Sequence, residues 1–71
     1  MTVAERIKLE ARAEGWRDSI AWAEEQLVKA RAWQSEHGLT FATPADWEHL
    51  IGEFRYELMR TERRLQRGVG V

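Results

Sequence analysis

A stop signal and a start signal stand five residues apart in the middle of this chain, and together they leave it few folds to adopt. His37-Gly38-Leu39 has the form of a helix end, because glycine takes the left-handed conformation that closes a last turn and Leu39 is placed to fold back on it. Thr43-Pro44-Ala45-Asp46 has the form of a helix beginning. The threonine hydroxyl can accept from a free amide, proline needs no donor at the first helical position, and Asp46 brings negative charge to the positive end of the dipole. Residues 38–43 are therefore read as the elbow between two helices.

The flanking stretches support that reading. Thr2 to His37 contains no proline and consists mainly of Ala, Glu, Arg, Lys, Gln and Leu, which predicts one long helix over about 2–37. Gly15 is its weak point: an interior glycine costs ~1 kcal/mol relative to alanine, and marks either a bend or a place where another backbone comes close. Leu9, Ala13, Trp16, Ile20, Ala23, Leu27 and Ala30 recur at alternating steps of four and three, the spacing of a coiled-coil seam. After the elbow, Trp47, Ile51, Phe54, Leu58, Thr61 and Leu65 repeat the alternation. They predict a second helix over about 44–67, with 68–71 a frayed tail.

The expected fold is thus all-α, an antiparallel two-helix hairpin forming one domain over 1–71. Facing positions in such a hairpin have numbers with a constant sum, and pairing Trp16 with Leu65, Ala23 with Leu58 and Leu27 with Phe54 gives 81 each time. With that sum, residues 1–13 overhang without a partner in their own chain. A single seam between two helices buries too little apolar surface to offset the entropy of ordering them, and a chain without disulfides or metal commonly solves this by oligomerising. A dimeric four-helix arrangement is the expected assembly.

Candidate contact residues lie off the seam. Ile7, Ala11, Trp22 and Trp33 fall together on a second face of the first helix, and Tyr56 and Met59 share the outer face of the second with Gly52. Indole is enriched at interfaces, so two tryptophans outside the seam point to association. Arg60, Arg63, Arg64 and Arg67 form the only basic cluster, a candidate site for an anion or an acidic partner. Yet cations also suit a helix C-terminus, and the net charge of -1 argues that any binding to nucleic acid is weak.

Catalysis is not expected. His37, Asp46, His49 and Glu53 lie near the elbow, but their better reading is dipole compensation, and no HExxH run, phosphate loop or nucleophile elbow is present. No catalytic, cofactor-binding or metal-binding residue is assigned. The absence of cysteine excludes disulfides and fits a reducing compartment, and no apolar run reaches the roughly 20 residues of a membrane span, so a cytoplasmic protein is expected. In composition the chain resembles small Ala-, Arg- and Trp-rich proteins of high-GC bacteria and their phages, many of which act by binding a host protein. The functional expectation is a small non-catalytic, protein-binding or regulatory module that self-associates. The alternative is a nucleic-acid-associated accessory factor using the arginine cluster.

Overall fold

A computed structural model describes residues 1–38 and 43–69, Val69 through its backbone alone. It is an antiparallel hairpin of two helices, α1 (Val3–His37) and α2 (Pro44–Val69), extending 54 Å along its long axis. Both elements are bounded by local chemistry. Thr2, rather than being the first helical residue, is the N-cap of α1, its hydroxyl accepting from the Glu5 amide at 3.1 Å. Glycine at 38 adopts φ 79° and donates its amide to the Gln34 carbonyl at 2.8 Å, closing α1 as its sequence predicts. At the start of α2 the Thr43 amide and hydroxyl both donate to the Asp46 carboxylate at 3.0 Å, and the Asp46 amide donates back to the Thr43 hydroxyl at 3.3 Å. That reciprocal box satisfies amides that the helix leaves free. The predicted fold-back of Leu39, the middle of the elbow and the end of the tail lie outside the described residues. Within them α2 continues two residues beyond its predicted end, to Val69.

The seam residues form the core. Leu9, Ala13, Ala23 and Ala30 are buried on α1, Ile51 and Thr61 are buried on α2, and Trp16, Ile20, Leu27, Trp47, Phe54, Leu58 and Leu65 are half-buried. Thr61, the one polar residue in this row, donates its hydroxyl to the Glu57 carbonyl at 2.9 Å, so its burial leaves no donor unpaired. Gly15 does not interrupt α1, which runs as one helix through it.

The register differs from the expected one by a heptad. The Trp22 and Trp47 rings meet edge to face at 5.4 Å, although with a sum of 81 they would lie twelve residues, about 18 Å, apart along the axis. Interhelical contacts fall on sums from 69 and 70, for Trp22 with Trp47 and Trp16 with Phe54, to 79 for three ion pairs. They bracket 74, which keeps every predicted seam residue in the seam and sets Ala23 level with Ile51, Ala13 with Thr61 and Leu9 with Leu65. The predicted overhang at 1–13 is accordingly absent: Leu9 and Ala13 are buried, and a β-carbon built on Gly68 would lie 2.5 Å from Met1 Cε. What projects instead is the last part of α1, where residues 31–37 are all exposed. Slipping one heptad changes no seam residue and brings a further stretch of α1 into contact, which is why burial favours it.

One flank of the hairpin carries the ion pairs that select this register. Arg17 pairs with Glu62 at 3.3 Å, Glu24 with Arg55 at 2.7 Å and Arg31 with Glu48 at 2.7 Å. The positions advance by seven on each helix and the signs alternate. A slip back to a sum of 81 would set Glu24 beside Glu62 and Arg31 beside Arg55. A slip the other way would set Arg17 beside Arg55 and Glu24 beside Glu48. Each exposed pair contributes only ~0.2 to 1 kcal/mol, but a slip replaces attraction by repulsion at two or more places together.

Candidate interaction surfaces

The residues predicted to lie off the seam are at the surface, but Trp22, Trp33 and Tyr56 have partners within the chain. Trp22, 52% exposed, packs edge to face with Trp47 and so belongs partly to the hairpin, a contribution the seam pattern does not reveal. Trp33, 55% exposed, meets the His37 ring one turn later in a tilted contact at 4.1 Å, within the projecting end of α1. Ile7 and Ala11 are exposed on the same helix. Val3 and Val28, exposed as well, are apolar surface that the spacing argument does not single out.

On the outer face of α2, Tyr56 and Met59 are exposed, and Gly52 leaves open space where a side chain would stand. This gap is part of an open groove lined by Trp16, Phe54, Gly52, Tyr56, Glu53 and Glu57. The Trp16 indole N–H is buried beside it without a hydrogen-bond partner among the described residues. Such an orphan donor has a cost in desolvation.

The arginine cluster is divided. Arg60 lies 5.8 Å from the Tyr56 ring centroid and 3.8 Å from Glu57, whereas among the described residues no ion pair forms on Arg63, Arg64 or Arg67. Glu62, the acidic neighbour within the cluster, is taken by Arg17. His49 meets Glu53 at 3.1 Å in an exposed pair one turn apart, and no group of three acidic or histidine side chains gathers among the described residues. No described helix is long and apolar enough to cross a membrane.

Fold and surface together define a class: an antiparallel helical hairpin with one ion-paired flank and apolar residues left on both outer faces. No protein-family model, curated protein or solved structure matches the chain.

Proposed function

We propose that this chain is a small non-catalytic interaction module that dimerises into a four-helix arrangement and offers its remaining outer surface to a protein partner. The observation that carries this reading is area. The chain exposes 5580 Å², whereas a compact monomer of its 8.3 kDa would expose about 4,600 Å². The excess, about 1,000 Å², is close to the roughly 800 Å² that each partner gives to an interface of standard size. Exposed Ile7, Trp22, Trp33, Tyr56 and Met59 supply the apolar part of it. The lack of cysteine fits a reducing compartment, and we place the module in the cytoplasm.

If assembly supplies the missing burial, the melting temperature rises with protein concentration, because folding and association are linked by mass action. Light scattering coupled to size exclusion should give twice the chain mass for the wild type and a lower mass for Trp22→Glu, which puts a charge into a desolvated contact. A compact, fully helical species of one chain's mass, unchanged with concentration, would remove the self-association reading.

A second reading rests on Arg63, Arg64 and Arg67, which are left without ion pairs among the described residues. Titration with duplex DNA at physiological salt is expected to show only non-specific binding, no tighter than ~10⁻⁶ M. Tight, sequence-dependent binding would place the nucleic-acid reading first.

A further inference from the structure

We infer that the dimer forms by packing the first helix of one copy antiparallel on the first helix of another, with the twofold axis passing beside Gly15. This inference rests on the self-association proposed above and specifies its surface. Gly15 is where the argument begins. Glycine is less favourable than alanine inside a helix, so a mid-helix glycine calls for a reason. Backbone conformation gives none, since among the described residues Gly38 alone has a positive φ. Crowding within the chain gives none either, since a β-carbon on Gly15 would meet nothing within 4 Å. Close approach of a second backbone is the remaining physical use of a missing side chain, and a twofold axis brings two such glycines together; Gly52 in α2 meets the same conditions, and it is the neighbours of Gly15 that decide between them.

The neighbours of Gly15 fit that use. Ile7, Ala11, Asp18 and Trp22 lie at steps of three and four from it, and all four are exposed. When two copies of α1 cross antiparallel at Gly15, residues whose numbers sum to about 30 come level. Ile7 of one copy then lies beside Trp22 of the other and Ala11 beside Ser19, so small residues face each other next to the axis, where the backbones approach, and bulky apolar ones pack against each other further out. Charge selects the same direction. Lys8, Arg12 and Asp18 form no ion pair within the described residues. In the antiparallel crossing Lys8 falls between the levels of Asp18 and Glu25 of the second copy, and Arg12 falls level with its Asp18. A parallel crossing would set Lys8 on Lys8 and Asp18 on Asp18, which is repulsive. The surface lies away from the ion-paired flank, so the contacts that hold the hairpin register stay intact in the dimer.

Sedimentation equilibrium on full-length variants tests this. Leucine is a good helix former, so Gly15→Leu keeps the hairpin, checked by circular dichroism, while weakening self-association about tenfold to a hundredfold through overpacking at the axis. Gly52→Leu, on the outer face of α2, leaves it unchanged. Lys8→Glu together with Arg12→Glu weakens association, and adding Asp18→Lys, which then faces a carboxylate at both positions, restores it. Dimerisation of Gly15→Leu as tight as wild type, or loss of it in Gly52→Leu, would overturn the inference while leaving self-association standing. A dimer in which adding Asp18→Lys to Lys8→Glu, Arg12→Glu brings no rescue would exclude the antiparallel direction, and a wild-type chain that is monomeric throughout would remove the parent reading as well.

Discussion

Replacing Ile51 by alanine is expected to destabilise the hairpin by about 2 to 5 kcal/mol, the range for deleting most of a buried aliphatic side chain. The upper part of that range follows from what stands opposite. Ile51 is 5% exposed and level with Ala23, which is fully buried, so the residue directly opposite is too small to fill the space left behind. In a chain of this size such a loss is a large share of total stability. Val28→Ala is the matched control. It removes a branched aliphatic residue that is 66% exposed, and should shift stability by less than about 0.5 kcal/mol. Urea unfolding followed by circular dichroism separates the two, provided both are measured at one protein concentration, since association contributes to the midpoint. An Ile51→Ala midpoint equal to that of Val28→Ala would mean that the seam is not the core.

What the sequence discloses about this fold divides along a physical line. The caps at Gly38 and Thr43 are legible because each is decided within four residues, by one residue's backbone freedom or one side chain's hydrogen bond. Seam membership is legible because the three-four spacing is a property of each helix alone. Register is not, because a heptad repeat matches itself after every seven residues, and Leu27 fits beside Trp47 as readily as beside Phe54. The information that breaks this degeneracy lies in Arg17, Glu24 and Arg31 against Glu48, Arg55 and Glu62, whose alternating signs are visible in the sequence once flank positions are compared as well as seam positions. The exposed faces are legible in part. Wheel position places Ile7, Ala11, Tyr56 and Met59 outside correctly, but an indole is long enough to leave its own face, as Trp22 does in reaching Trp47.

Reversing the three flank charges on α1 together, as Arg17→Glu, Glu24→Arg and Arg31→Glu, is expected to move the hairpin into the neighbouring register. In the present one the variant sets like charges against Glu62, Arg55 and Glu48, turning every attraction on this flank into repulsion. With a sum of 81 the Glu24→Arg side chain faces Glu62 and the Arg31→Glu side chain faces Arg55, both attractive, and the seam keeps all its residues. The opposite slip is less favourable, because it sets Glu10 against Glu62. No native cysteine interferes with placing spin labels at Ala21 and His49, which are both exposed and off the seam. Their axial offset is about 6 Å with a sum of 74 and about 16 Å with a sum of 81, from a rise of about 1.5 Å per residue. Pulsed electron resonance on labelled chain diluted with unlabelled chain reads this difference within one molecule. The longer distance should appear in the triple variant and return to the shorter one when Glu48→Arg, Arg55→Glu and Glu62→Arg are added, which restores opposite signs at every pair. An unchanged distance in a folded triple variant would show that packing along the seam, rather than the charged flank, holds the helices in place.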